Sequence, residues 1–524
     1  MNKKNRIQRS EVRRQGSGFR IQGAALALVA ALWTVAAAAV EEPPVRELTL
    51  ADCVGLALEN NLDLQIEKIA RDVARREVDA AKGGYDPALK LGAKRAHEET
   101  EGASAGTAAG ALEILRTETD NDSYEALVSG ATALGGLQYE LGTRLGAADG
   151  IRQNNPFDTA TGSAGLTLTQ PLLKGFKTDG TRYQVAIARK QSAEAALQLE
   201  SRMQDVLSQV ESAWYALVLA RESIRVQEDA VRLAAQLYED NRRKVQIGAM
   251  AVLDEKQAES QAASARADLS SAKQAYAEAQ NRLKTLLFAD LRKVRGIDVS
   301  AAGELADAAV AVDAAASGER ALELRPDVRQ ARLALERQGI AVQYQRNQTL
   351  PSLDLVAGYG VAASDEDDYG GAIDQMETFD EPYWSVGVAL SFPLGNRAAK
   401  NRHAQSLANA EKMKLELRQL EETALVEVDN AAHAVATGLD KVKATREARE
   451  YAEEALAAEQ RKLERGKSTS FVVLQLQRNL TQARNAELQA LADYNQQLAA
   501  LALAEGAMLE RHGVAFVDPA ESKP

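Results

Sequence analysis

The stretch from Thr178 to Ile247 constrains this chain most: some seventy residues without a proline, with one glycine, Gly180, near the start. Apolar residues step along it in alternating threes and fours: Leu199, Met203, Val206, Val210, Ala213, Leu217, Ala220, Ile224, then Val231, Ala234 and Tyr238, with only Gln227 breaking register. A seam held for nearly six heptads exceeds the three or four that separate a coiled coil from an ordinary amphipathic helix. At 1.5 Å per residue the helix would be roughly 100 Å long. No core of ordinary size covers such a rod, so it must lie along other rods.

The 524 residues include 5% aromatics and 26% charged residues, with long Ala, Glu, Gln, Arg and Leu tracts. That suits long helices packed through small side chains. The formal charge is −12, and the segment 1–39 holds seven Lys and Arg against Glu11, so the remainder is near −18. Such an acidic body argues against a nucleic-acid partner, which is held by Lys and Arg on phosphates. Residues 1–39 read as an export signal. Lys3, Lys4, Arg6, Arg9, Arg13, Arg14 and Arg20 precede the short apolar run Gly23–Val35 and the cleavage site Ala37-Ala38-Ala39. No later apolar run approaches twenty residues, so any membrane crossing downstream must be a β-barrel. Cys53 is the only cysteine, which excludes an internal disulfide. It reads as a buried thiol.

Taken in order, Thr49 opens a helix that runs to about Lys82 and stops at Gly83-Gly84. Pro87 starts an alternating segment, and further alternation follows at Tyr124–Leu134, Gly136–Gly146 and Ala164–Leu172. The stretch Gly102–Gly110 lacks periodicity and reads as loop. The long helix follows, reverses at Gly248, and returns through a second seam: Ala262, Ala265, Leu269, Ala272, Tyr276, Ala279, Leu283 and Leu286. The series then repeats. Ala57-Leu58-Glu59, Asp63, Pro87, Leu89 and Leu91 recur at a constant offset of 264 as Ala321-Leu322-Glu323, Asp327, Pro351, Leu353 and Leu355. Leu168 and Pro171 recur at an offset of 222 as Leu390 and Pro393; Gly248, Tyr276 and Leu283 recur at 218 as Gly466, Tyr494 and Leu501. The drop in offset from 264 to 222 makes the first β section longer than the second. An extra hairpin near Tyr124–Gly146 would account for most of the difference, giving four or six barrel strands per chain.

The expected layout is a signal (1–39), a first repeat (40–300) and a second (301–524) with a short C-terminal tail. The first repeat has its β section at about 87–173 and its helical hairpin at about 178–288. The second has a helix at about 319–349, a β section at about 351–393 and a hairpin at about 397–505. In the second β section Leu353, Leu355, Ala357, Tyr359 and Val361 go out and Val386, Val388, Leu390 and Phe392 return, beside Tyr383 and Trp384. Ser352, Asp354, Ser385 and Ser391 take the other face. Alternating strands with one apolar face and interfacial aromatics fit an outer-membrane barrel. Closing one around a lumen needs more strands than four or six, so several chains would share it.

With its duplicated order, the chain resembles the TolC-type outer-membrane efflux proteins across the mature sequence. The motifs are Leu48-Thr49-Leu50 with Ala57-Leu58-Glu59-Asn60-Asn61, the strand-to-helix signatures Leu168-Thr169-Gln170-Pro171-Leu172-Leu173 and Leu390-Ser391-Phe392-Pro393-Leu394, and the reversals Gly248…Leu253-Asp254 and Gly466…Val473-Leu474. The resemblance implies a mainly α fold with β: a trimeric α-barrel of long coiled-coil helices topped by a shared transmembrane β-barrel. It further implies a homotrimeric passive exit duct in outer-membrane lipid, docked to a periplasmic adaptor and an inner-membrane transporter. Its acidic surplus would favour cations in the lumen.

At the periplasmic tip the family's acidic residues near the second reversal fall here on Val472 and Gln475, both uncharged, whereas the first repeat keeps Asp254. Arg465 and Lys467 flank Gly466. A closing ion pair between the reversals, solvated turn charges, and a constriction at Val472 and Gln475 are the three readings. The acidic residues between Asp365 and Glu381 read as a solvated external loop rather than a calcium loop. His97, His403, His433 and His512 share no ligand spacing, and no phosphate loop or nucleophile elbow occurs, so neither catalysis nor a cofactor is expected. The rival reading is a soluble periplasmic coiled-coil scaffold whose β sections merely cap the rods.

Overall fold

The computed structural model describes residues 45–105, 112–366 and 369–515, so the expected export signal lies outside the described residues. Strand β1 (Val45–Leu48) leads into α1 (Leu50–Asn60). Thr49 caps α1 reciprocally: its hydroxyl accepts from the Asp52 N–H at 3.2 Å, and the Asp52 carboxylate accepts from the Thr49 N–H at 3.0 Å. The single helix expected as far as Lys82 is in fact two. At Asn61 the backbone turns extended and the side chain caps α2 (Leu62–Lys82) by accepting from Asp63 and Leu64. The second repeat breaks at the equivalent place, where α6 (Ala314–Leu324) and α7 (Pro326–Gln348) meet at Arg325, the repeat partner of Asn61. Neither junction residue is Gly or Pro; the break is marked instead by a capping residue, Asn61, in the first repeat and by Pro326 at the first helical position in the second.

Four strands follow α2: β2 (Ala88–Ala105), β3 (Leu112–Ala131), β4 (Gln138–Arg152) and β5 (Asn155–Pro171). They are longer than expected, and Gly102–Ala105 continue β2 rather than forming a loop, while residues 106–110 of that expected loop lie outside the described residues. Beyond Ala93 and Tyr124 the paired strands carry polar residues on both faces, such as His97 opposite Asp120. The backbone ladder alone sustains them there, so side-chain alternation marks only the lower part.

The rods come next: α3 (Gly180–Gln246) and α4 (Val252–Leu287) in the first repeat. The short α5 (Leu291–Val294) and β6 (Asp298–Ala301) then lead to α6 and α7. The second repeat continues with β7 (Ser352–Asp365), α8 (Tyr369–Thr378), β8 (Glu381–Ser391), the rods α9 (Arg397–Glu464) and α10 (Ser470–Ala504), and the short α11 (Met508–Arg511). With 67 and 68 residues, α3 and α9 each extend about 100 Å.

The expected seams are where the rods pack. Leu199, Val206, Val210, Ala213, Leu217, Ala220 and Ala234 are buried along α3, and Ala262, Ala265 and Leu283 along α4. The cores duplicate as well. One gathers Ala57, Val210, Trp214, Leu217 and Leu283; the other gathers their repeat partners Ala321 and Leu501 with Val428, Val435 and Tyr494. Cys53 is fully buried in the first, and burial, with the neighbouring Asp52 charge, pushes its thiol to about 12, leaving it inert. The connector between repeats wraps the rods at mid-height. There β6 pairs in parallel with β1, the Trp214 indole donates to the Leu48 carbonyl (3.3 Å), and Gln280 donates to Val299 (2.9 Å).

All the remaining strands form one antiparallel sheet in the order β2-β3-β4-β5-β7-β8. The acidic stretch expected to be a loop contains α8, which lies on this sheet: Tyr369, Ala372 and Met376 pack against Ala160 and Ala363. The acidic residues mask that short apolar stripe in the sequence; Asp367 and Asp368 lie outside the described residues.

Candidate functional site

Two features bear on function: the two-faced sheet at one end of the rods and the helix reversals at the other. Strand register fixes which side chains share a face. Leu89 pairs with Val128, Val128 with Leu141, Leu141 with Leu166, Leu166 with Tyr359, and Tyr359 with Trp384. One face is therefore apolar across the lower part of all six strands, and below α8 it is uncovered: Leu91, Val388, Leu390 and Trp384 are 64–77% exposed. A water-soluble protein rarely leaves so wide an apolar surface bare, whereas a bilayer covers it. The opposite face carries glycine, serine and threonine with a few charges. Lys90 pairs with Glu125 (2.5 Å) and Arg144 with Glu140 (2.7 Å). Among the described residues no helix is long and apolar enough to cross a membrane.

At the other end α3 turns into α4 at Gly248 and α9 into α10 at Gly466, with φ of +75° and +70°. Each glycine supplies the left-handed backbone that side chains resist. Asp254 lies half-buried in the first turn of α4. Arg465, the C-cap of α9, and Lys467 are exposed, whereas Val472 is half-buried and Gln475 exposed in the first turns of α10. The fold thus gathers all five candidates at one end of the molecule. Within the chain, no ion pair joins Asp254 to Arg465 or Lys467 among the described residues.

What does join the two reversals is a buried knot that sequence reading missed. The Asn241 amide, with no exposed surface, donates to the Asp254 carbonyl (3.2 Å). Its oxygen accepts from the Ser470 hydroxyl (3.0 Å), which also lies 3.8 Å from the Met250 sulfur. The signal was present, because Asn241 follows Tyr238 by three and continues the α3 seam as a polar residue. Around the knot the tip is apolar and bare: Ile247, Val252, Leu253 and Phe471 are exposed.

Chemistry-bearing groups are dispersed. His97 meets Asp120 on the sheet, His512 meets Glu211 on α3, and among the described residues no three His, Cys, Asp or Glu converge as a metal site.

Comparison with known proteins agrees with this geometry. The family model for outer membrane efflux proteins matches residues 136–287 and 318–507, about two thirds of the chain. No curated protein matches it in sequence. Among solved structures, the outer-membrane channel OprN superposes with a TM-score of 0.65 at 17% identity, covering 87% of this chain and 90% of that one. The Campylobacter jejuni CmeC outer membrane channel gives 0.64 at 16% identity, covering 90% of each. The Neisseria gonorrhoeae MtrE outer membrane channel, in its open state, gives 0.60 at 17% identity, covering 88% and 89%. With its lipid-facing sheet, its rods and its duplicated order all accounted for, the chain belongs to the outer membrane efflux protein family, as an exit duct seated in the outer membrane and reaching into the periplasm.

Proposed function

We propose that three copies form the duct, that an adaptor and an inner-membrane transporter supply its cargo and energy, and that the helix reversals gate its periplasmic mouth. The observation that carries the trimer is a missing neighbour. In the second repeat α7 packs between α9 and α3; in the first its counterpart α2 packs along α3 alone. The bare flank of α2 is apolar at heptad spacing, since Leu62, Ile66, Ile69 and Val73 are all more than half exposed. Repeat equivalence puts α9 of another copy there, and α9 exposes Leu407, Leu415 and Val426. One chain is thus an open wall, and copies joined α2 to α9 close it as a ring.

The bare apolar tip around Ile247, Val252, Leu253 and Phe471 is the surface offered to the adaptor. Asp254 of one copy faces Arg465 and Lys467 of the next, holding the tip shut; Val472 and Gln475 are the alternative constriction. The duct is passive and performs no catalysis, and its dispersed histidines support that reading. The mass of the protein extracted in mild detergent tests the assembly. Three chains are expected, falling to one in the variant Ile66→Asp with Ile69→Asp; a monomeric wild type would overturn the reading.

A further inference from the structure

The sheet leaves two edges open, because β2 borders only β3 and β8 borders only β7. Every residue of β8 is exposed, and Leu89 and Leu91 on β2 are 66% and 71% exposed. Long apolar edges are templates for pairing with another chain. Resting on the threefold assembly above, we propose that β8 of each copy pairs antiparallel with β2 of the next, so that the shared barrel has eighteen strands.

Direction, face and anchoring all support this. Six strands each antiparallel to the last leave β2 and β8 running opposite ways, so they meet antiparallel across a seam between copies. Pairing that keeps Val386, Val388 and Leu390 on the side of Leu89 and Leu91 makes the apolar band unbroken around the ring, and a one-residue slip would reverse it. The hairpin β3–β4 is also firmly built in. The turn at its base is closed by Thr132 donating to Leu137 (2.7 Å), and it sits on the strand-to-helix junction, where Gln170 donates to Gly135 (3.1 Å) and the Arg182 guanidinium to Ala133.

That hairpin sets the bore. The second repeat contributes only β7 and β8; had the first matched it, three chains would bring twelve strands. With strands about 4.8 Å apart and tilted by about 40°, eighteen give a backbone radius of about 18 Å, against about 12 Å for twelve. Glycines at positions 92, 142, 165, 358, 360 and 387 lie on the inner face, so little side chain narrows it. Most of its charge comes from β2, β3 and β4, including the pairs Lys90–Glu125 and Arg144–Glu140. Cargo crosses such a wall hydrated, and bulky polar molecules fit it.

The test joins the seam covalently. Cys53 is fully buried, so introduced thiols are the only accessible ones. Lys90→Cys with Ala389→Cys, and Gly92→Cys with Ala389→Cys, sample the two adjacent registers that align the apolar faces. On oxidation of the full-length protein in detergent, one pair is expected to yield covalent trimers on denaturing gels, and each single substitution none. Electron cryomicroscopy of the unsubstituted protein should count eighteen strands. A three-chain particle with neither disulfide, or with twelve strands, overturns this inference alone; a particle of another mass overturns the threefold reading beneath it.

Discussion

Glu211 is fully buried midway along α3, yet it is held as a carboxylate. Tyr215 donates to it from one turn on (3.0 Å), Arg511 from beyond α10 (2.8 Å), and His512 lies at 3.2 Å. Burial by itself would raise its pKa. The His512 hydrogen bond, the charges of Arg511 and His512 and the Tyr215 hydroxyl outweigh that and hold it below the ordinary glutamate value. A depressed folded pKa stabilises above the unfolded value, and the contribution is lost as pH falls through about 4 and below. Glu211→Ala strands Arg511 and His512, and should cost about 3–5 kcal/mol at neutral pH, the range for breaking a buried pair. Thermal unfolding from pH 7 to pH 3 should show the wild type converging on the variant; parallel curves would discount the carboxylate. No sequence pattern announces this site, because its partners lie 300 and 301 residues away. At the tip, Asp254→Ala should raise single-channel conductance in planar bilayers, as should Arg465→Ala with Lys467→Ala. The combination should add little if both break one contact. Unchanged conductance in both would move the constriction to Val472 and Gln475.

At the scale of elements, the rods were legible because their signal is local and repeated. Seam residues every three or four positions foretold which sides of α3 and α4 are buried, and Gly248 and Gly466 marked both reversals. What escaped was a second buried stripe on α3, where Gln204, Leu207 and Glu211 face α10 and α11. A helix covered on two sides has no single apolar stripe to find, and polar residues in the second one hide it further. The β1–β6 pair escaped for a related reason, since two short strands joined from opposite ends of the first repeat carry no periodicity. Small residues let α4 approach α3 closely: Ala262 and Ala265 are buried against Ala234, and Ala272 is half-buried. Inserting Leu at Ala265 should overpack this contact by about 1–3 kcal/mol, and Leu at the more open Ala272 by less. Thermal unfolding of each variant checks the order, and equal, negligible losses would refute the seam.

For the whole molecule, the sheet and the reversals lie at opposite ends of rods about 100 Å long, so accessibility in cells maps the duct directly. An epitope inserted after Glu366, between β7 and α8, should be bound on intact cells, and one inserted at Gly466 only after the outer membrane is opened. The reverse pattern would invert the topology. The β3–β4 hairpin carries an evolutionary consequence. The chain must return to the periplasm to build its next rod, so it can gain strands only in twos; a single extra strand would strand α3 outside the cell. In the proposed threefold assembly each such gain becomes six staves. Bores in a lineage built on this plan would therefore come in discrete sizes, like pipe gauges, about 6 Å of radius apart.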